Sequence, residues 1–186
     1  MFCFQCEQTA ACKGCNGKMG VCGKKADTAE LQDQLTGALI GLARAAEGKE
    51  SCVTAGTDQL ILEGLFTTLT NVNFDDEMFR ELIARAGLEK ERLAPVCSAG
   101  DSVDSGCDDY DMNKVWEADE DIRSLKSLIL FGIRGVAAYA YHAAVLGYRD
   151  AEVQSFFYKA LSAFSPLERI IKFFFLPVMK IRLSST

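Results

Sequence analysis

The chain has 186 residues, of which 49% are hydrophobic and 25% are charged, and its formal net charge is -6 at pH 7. These proportions are typical of a soluble globular domain large enough to bury its own core. The acidic balance argues against nucleic acid as a partner, because such binding depends on clustered lysine and arginine. The N-terminus carries no signal-peptide pattern, and no segment offers the ~20 consecutive apolar residues of a membrane span. We therefore expect a cytoplasmic protein without a membrane partner, in a compartment where thiols stay reduced.

Cysteines are concentrated at the N-terminus. Of the eight in the chain, five lie within the first 22 residues, namely Cys3, Cys6, Cys12, Cys15 and Cys22. Glycines alternate with them and no hydrophobic period is present, so neither a helix nor a strand is predicted over residues 1–26. Glycine allows the backbone to pass close to a bulky centre. We expect a metal centre to order this cysteine-rich loop.

The rest of the chain reads as helices. Apolar residues recur at helical spacing, and no segment shows a sustained period-2 alternation, which predicts an all-α fold, an antiparallel helix bundle over residues 27–164. Asp27 and Glu30 suggest a capping box at the first helix. Gly132 and Gly135 inside the longest helix suggest close contact with a neighbouring helix. The predicted helices run from Asp27 to just before Gly48 and over residues 58–70, 75–86 (ended by Gly87), 119–146 and 150–164, with a loop over 95–113.

The C-terminal segment, residues 165–186, differs in kind from the helices before it. It carries four basic residues and one acidic residue around the run Phe173-Phe174-Phe175-Leu176. An amphipathic membrane-surface anchor has this composition, but the run is short and Pro177 follows it. We favour an atypical apolar and basic tail that does not belong to the helical domain.

Spacing within the cysteine loop suggests the kind of metal centre. Cys3 and Cys6 form a C-x2-C pair, eight residues separate Cys6 from Cys15, and six separate Cys15 from Cys22. Four thiolates at such spacing can hold an iron–sulfur cluster. Zinc also takes four thiolates, and since Cys12 and Cys15 form a second C-x2-C pair, a zinc site from Cys3, Cys6, Cys12 and Cys15 is the alternative.

Several segments resemble one known family. They are MFCFQCEQTA at the N-terminus, Cys15, Gly20 and Cys22-Gly23-Lys24, LQDQLTGALIGLA (31–43), GLFTTLTNVNFD (64–75) and DIRSLKSLILFGIRGVAAYAYHAAVLGYRDAEV (121–153). Together they resemble the N-terminal helical domain of the hybrid-cluster proteins, also called prismane proteins or hydroxylamine reductases. The resemblance covers about residues 1–164.

The resemblance implies a ligand set and a role. In the family, the N-terminal motif holds a [4Fe–4S] cluster in one class and a [2Fe–2S] cluster in another. Carried onto this chain, the ligands are Cys3, Cys6, Cys15 and Cys22, and Cys12 is an additional thiol. The eight-residue spacer resembles the [4Fe–4S] class, whereas the last spacer has six residues where the family has five.

The resemblance also implies a reaction beyond this chain. The family's N-terminal cluster passes electrons to a hybrid Fe–S–O cluster, which reduces hydroxylamine to ammonia or nitric oxide to nitrous oxide. The ligands of that cluster lie in later domains, which this chain does not include. We therefore expect an electron-transfer domain without catalytic residues, whose partners are an electron-donor protein and the missing domains on another chain. The alternatives are a zinc-binding structural or interaction module and a non-functional, truncated or frameshifted fragment.

Five other side chains have simpler interpretations. His142, in an apolar helix, is predicted to make a core or interhelical hydrogen bond, and Trp116 is predicted to pack at the start of a helix. Cys52, Cys97 and Cys107 are interpreted as thiols without a role at the metal centre.

Overall fold

The computed structural model describes residues 2–6, 14–69, 73–93 and 108–164, together with residues 169, 170 and 173. Within these ranges the protein is all-α, as predicted, and the described chain contains no β-strand beyond one isolated bridge at the N-terminus. A single 3-10 turn, Glu50–Cys52, lies between the first two helices. The helices are α1 (Ala26–Ala46), α2 (Ala55–Thr67), α3 (Asp76–Leu93), α4 (Asn113–Trp116), α5 (Glu120–Val145) and α6 (Ala151–Ser162).

Helix α1 lies at the centre of the fold. It packs against α2, α3 and α6, and α5 packs against α2, α4 and α6. Leu35, Leu39 and Leu42 on α1 have no exposed surface, and burying a leucine side chain contributes about 1.5–3 kcal/mol. The apolar period of the sequence predicted this helix and its end before Gly48 correctly.

The helix starts follow caps that the sequence pattern identified only in part. The cap residue of α1 is Lys25, which makes no side-chain capping bond, so the capping box predicted at Asp27 is wrong. A capping box is instead present at α2, where Thr54 and Thr57 exchange side-chain and backbone hydrogen bonds. This cap explains why α2 begins at Ala55, three residues before the predicted start.

Helix α3 continues through Gly87 to Leu93, so the predicted stop at this glycine is wrong. An interior glycine costs about 1 kcal/mol relative to alanine. Ala86 and Leu93 are buried on either side of it, and this packing outweighs the cost. Of the predicted loop over 95–113, residues 95–107 lie outside the described residues. Asn113, the last residue of that predicted loop, is the first residue of α4.

A close backbone approach joins α1 to the segment before α4. The Tyr110 amide donates to the Gly37 carbonyl at 3.1 Å, and a Cβ on Gly37 would lie 2.2 Å from the Tyr110 carbonyl oxygen. Lys126 of α5 donates to the Tyr110 hydroxyl at 2.8 Å. Tyr110 therefore ties α1 to α5, and only glycine fits opposite it.

Helix α5 is long and apolar enough to cross a membrane by length and composition, with a mean hydropathy of 1.4 over its most apolar stretch. In the described structure, 28% of that stretch is buried inside the protein. The Lys126 and Arg134 side chains of α5 are buried and bonded to other parts of the protein. The predicted close contact at Gly132 and Gly135 is not observed, because both are exposed and no atom of the described residues would lie within 4 Å of a Cβ there.

Part of the segment predicted as an atypical tail packs on the bundle. Ile170 is fully buried, Arg169 forms an ion pair with Glu47, and the Phe173 ring lies 5.9 Å from the Phe156 ring. The remainder of residues 165–186 lies outside the described residues.

Two glycine substitutions test this packing. Gly37→Ala should lower the free energy of unfolding by about 1–3 kcal/mol, because the new methyl group overlaps the Tyr110 carbonyl. Gly132→Ala should leave it unchanged or raise it by up to about 1 kcal/mol, because the position is open and helical. Urea denaturation of both variants measures the difference, and equal effects would contradict the described approach of Tyr110 to α1.

Candidate metal centre

Cys3 and Cys15 lie side by side. The Cys3 amide donates to the Cys15 carbonyl at 2.9 Å and the Cys15 amide donates back to Cys3 at 2.8 Å, which forms an antiparallel bridge. The two residues are 6% and 8% exposed. The bridge therefore joins the C-x2-C segment to the third predicted ligand by backbone bonds alone.

Glycines shape the chain on both sides of the bridge. Gly14 has a φ of +81°, and a Cβ there would lie 2.9 Å from the Phe2 ring. Near Cys22, the Gly23 amide donates to Gly20 and the Gly20 amide donates to Lys24, which closes a turn. A Cβ on Gly20 would lie 3.5 Å from the Cys22 Sγ atom. Gly14 therefore has no space for a side chain beside Phe2, and its positive φ favours glycine.

Aromatic side chains anchor the segment that carries Cys3. The Phe4 ring lies 4.7 Å from the Trp116 ring and 6.1 Å from the Phe131 ring, and the Phe2 ring lies 5.5 Å from the Trp116 ring. Alternate side chains of an extended segment point to opposite sides, so Phe2 and Phe4 can face Trp116 while Cys3 faces away. Trp116 packs as predicted, and its partners are the residues that flank the first cysteine.

The guanidinium of Arg134 holds Gln5, one of the two residues between the cysteines of the C-x2-C pair. It donates to the backbone carbonyl of Gln5 at 3.2 Å and also to the side-chain oxygen of Gln5. Its other bonds go to the hydroxyls of Thr36 and Thr68, both at 3.1 Å. Arg134 is 3% exposed, and a buried charge is tolerated when its donors are satisfied in this way. The cysteine segment is thereby attached to α1, α5 and the end of α2.

Charged groups surround the bridge. Burial lowers the pKa of Arg134 to about 10, with Asp33, Cys3 and Cys6 acting in the opposite direction, so the guanidinium stays charged at neutral pH. Burial raises the pKa of Asp33 to about 7, although Arg134 and Lys24 oppose the rise. The Gln5 side chain also donates to Asp33. The acid and the two cations therefore form one connected group behind the cysteine segment.

The thiol of Cys3 responds to the same groups. Burial raises the pKa of Cys3, whereas the Gln5 backbone and the positive charge of Lys24 lower it. The Lys24 Nζ atom lies 4.0 Å from the Cys3 Sγ atom. A metal ion favours the thiolate form of such a ligand.

The predicted ligands are only partly brought together. Cys3, Cys6, Cys15 and Cys22 are all free thiols, with Cys6 and Cys22 partly exposed. Among the described residues, no three metal-binding side chains lie close enough to hold one metal ion. Cys12 of the alternative zinc set lies outside the described residues. Four free thiols on one loop, with the cations Lys24 and Arg134 nearby, have the chemistry that a thiolate-bound cluster needs.

Sequence reasoning missed the supporting residues, namely Gln5, Lys24, Asp33 and Arg134. A signal was present for Arg134, because it is the one charged residue between Lys126 and His142 of an otherwise apolar helix. Buried charges of this kind usually serve a defined partner. For His142, the prediction of a core position is wrong. The side chain is exposed, and its ring lies edge-on to Phe66 at 5.5 Å.

Comparison with known proteins identifies the class of protein. The model of the Prismane/CO dehydrogenase family matches residues 1–172. The chain therefore belongs to this family, and the resemblance noted from the sequence is confirmed.

Individual relatives are longer than this chain. A hydroxylamine reductase from Methanocella arvoryzae is 42% identical over 185 residues, and one from Solidesulfovibrio magneticus is 41% identical over 182 residues. A hydroxylamine reductase from Chlorobaculum tepidum is 42% identical over 179 residues. Each alignment covers 88% of this chain but only 34%, 33% and 32%, respectively, of the relative. The chain thus spans about a third of the length of these relatives.

Arg134→Met should release the C-x2-C segment. The substitution removes the donors that hold Gln5. We therefore expect alkylation of Cys3 and Cys15 in the folded, metal-free protein to accelerate at least about tenfold, which corresponds to a loss of about 1.4 kcal/mol of local stability. Lys126→Met is the matched control, because it removes another buried cation of α5 whose partner, Tyr110, is not part of the loop. Mass spectrometry of labelled peptides gives the rates. Equal acceleration in both variants would show that Arg134 does not act on the loop specifically.

Asp33 should make the stability of the metal-free protein depend on pH. Burial raises its pKa to about 7 in the folded state, from an ordinary value of 3.8. The folded state therefore binds this proton more tightly, and the contribution is fully present below about pH 4 and declines as the pH rises towards 7. Asp33→Asn should flatten this decline. Asp27→Asn, an exposed acid in the first turn of the same helix, should leave it in place. Denaturation between pH 4 and pH 8 measures both, and an unchanged profile in Asp33→Asn would contradict the assignment.

Proposed function

We propose that this chain is an iron–sulfur electron-transfer domain of the hydroxylamine reductase type, with a [4Fe–4S] cluster bound by Cys3, Cys6, Cys15 and Cys22. The observation that carries the proposal is the backbone bridge between Cys3 and Cys15, which holds two of the four proposed ligands side by side in a buried position. The family membership supports the assignment of the remaining two. When bound, the cluster would accept and release single electrons.

The other residues of the site have defined tasks in this proposal. Phe2 and Phe4, packed on Trp116, shield one side of the Cys3 segment from water. Arg134 fixes Gln5 and so limits the movement of Cys3 and Cys6 relative to the bundle. The cations Arg134 and Lys24 offset the negative charge of the thiolates, which a buried site needs because an uncompensated charge is expensive there.

The reduction of hydroxylamine, which the names of the relatives describe, is proposed for the longer proteins and not for this chain alone. The family resemblance assigns substrate reduction, of hydroxylamine or of nitric oxide, to a hybrid Fe–S–O cluster held by later domains. In this proposal the present domain receives electrons from a donor protein and delivers them to that cluster.

We further propose that α5 carries the contact with those domains. Leu128, Val136 and Tyr139 are 60%, 40% and 83% exposed along this helix. Exposed apolar surface of this extent typically marks an interface. The part of each relative that lies outside the aligned region is about twice as long as the present chain. The same exposed residues would favour aggregation of the isolated domain.

Metal analysis tests the cluster. Protein purified without oxygen should contain about four iron and four acid-labile sulfide per chain, the content of one cubane cluster. Cys15→Ser should lose both, because it removes a proposed ligand. Cys52→Ser is the matched control, since Cys52 lies in the 3-10 turn away from the loop, and it should retain both.

Other metal contents have different meanings. About one zinc per chain without sulfide would contradict the cluster and support the zinc-binding structural module. About two iron and two sulfide would indicate a [2Fe–2S] centre and would overturn only the nuclearity. A protein with no metal after cluster reconstitution would favour a non-functional fragment.

A further inference from the structure

Lys24 is buried more completely than almost any other charged side chain in the described part of the protein. It is 1% exposed, and it belongs to the largest fully buried side chains of the fold. Removing an ammonium group from water costs several kcal/mol unless hydrogen bonds and an opposite charge compensate the loss. The position of Lys24 therefore needs an explanation in terms of its partners.

Its partners are unusual for a buried cation. The Nζ atom donates to the side-chain oxygen of Gln32 and lies 4.0 Å from the Cys3 Sγ atom. Gln32 is neutral and also fully buried. The acid that acts on Lys24, Asp33, also interacts with Arg134 and accepts a bond from Gln5. When a cluster holds Cys3 as a thiolate, that thiolate supplies the negative charge next to the Lys24 ammonium group that the neutral Gln32 does not supply.

The backbone of Lys24 is fixed by the turn that carries Cys22. The Lys24 carbonyl accepts from the Gly20 amide at 2.8 Å, and Gly23 before it has a φ of +86°. Lys24 lies two residues after the proposed ligand Cys22, and its side chain extends to the proposed ligand Cys3. Lys24 therefore contacts both parts of the cysteine loop, the Cys22 turn through its backbone carbonyl and Cys3 through its side chain.

We propose that Lys24 tunes the reduction potential of the cluster by donating to the Sγ atom of the ligand Cys3. The inference rests on the proposed function, because it requires a cluster at this loop. Reduction adds one electron, supplied by the donor protein, to the cluster without forming or breaking a bond to Lys24. A positive charge and an N–H donor at a ligand sulfur stabilise the reduced form and raise the potential.

Arg134 does not have this role, although it is also a buried cation. Its hydrogen bonds go to oxygen atoms of Gln5, Thr36 and Thr68. Arg134 positions the segment around Gln5, whereas Lys24 contacts the Cys3 Sγ atom itself.

Redox titration of the cluster-loaded protein tests the proposal. Lys24→Met keeps the approximate length of the side chain and removes its charge. We expect it to shift the ratio of reduced to oxidised cluster at least tenfold towards oxidised at a fixed applied potential, which is about 59 mV for a one-electron couple. Lys25→Met, an exposed neighbour, should leave the potential unchanged. Lys24→Arg keeps the charge and should lie closer to the unsubstituted protein.

Each outcome supports or contradicts the proposed role of Lys24 in setting the reduction potential. The proposal is also supported if Lys24→Met loses its iron while Lys24→Arg retains it, because the charge is then required. It is overturned if Lys24→Met holds a full cluster at the unsubstituted potential. It is equally overturned if both Lys24 variants shift alike or both lose iron, because the lysine then serves only packing. Failure of the unsubstituted protein to bind iron and sulfide would instead contradict the proposed function.

Discussion

The structure depends on a buried guanidinium that joins the N-terminal cysteine segment to helix α5. Arg134 in α5 binds Gln5, which is 129 residues away in sequence, and also the threonine hydroxyls of α1 and α2. Both hydroxyls donate back to their own helix, Thr36 to the Gln32 carbonyl and Thr68 to the Leu65 carbonyl, each at 2.8 Å. Because every member of this network has a partner, a charge can stay inside an apolar bundle without a large penalty.

This constraint gives the cysteine loop a structure that does not depend on the metal alone. The segment around Cys3 is held by Arg134, by aromatic packing on Trp116 and by the bridge to Cys15. A site whose supporting residues are already in place loses less conformational entropy when it binds its cofactor. The same residues provide positive charge next to thiolates, so the groups that order the loop also suit a redox centre.

The sequence predicted those features that arise from local patterns. Leucines at helical spacing predicted α1, and crowded cysteines predicted a specialised loop. Local pattern was misleading where packing or geometry decides, as at Gly87, which α3 passes through, and at His142, which is exposed. The contact of Arg134 with the loop could not be predicted, because it joins residues that are distant in sequence. The contact of Lys24 with Cys3 could not be predicted either, because it depends on the turn between Gly20 and Lys24. The pairing of Cys3 with Cys15 likewise requires the path of the chain between them, which spacing alone does not define.

We expect protein contacts to hold the cysteine loop in place before a cluster binds. Amide hydrogen exchange of the reduced, metal-free protein measures this directly at the Cys3 and Cys15 amides, which donate to each other's carbonyls. We expect both amides to exchange at least about tenfold more slowly than in an unfolded chain, because each tenfold of protection reflects about 1.4 kcal/mol of local stability. Exchange of both at unfolded rates, while the amides of α1 stay protected, would contradict it.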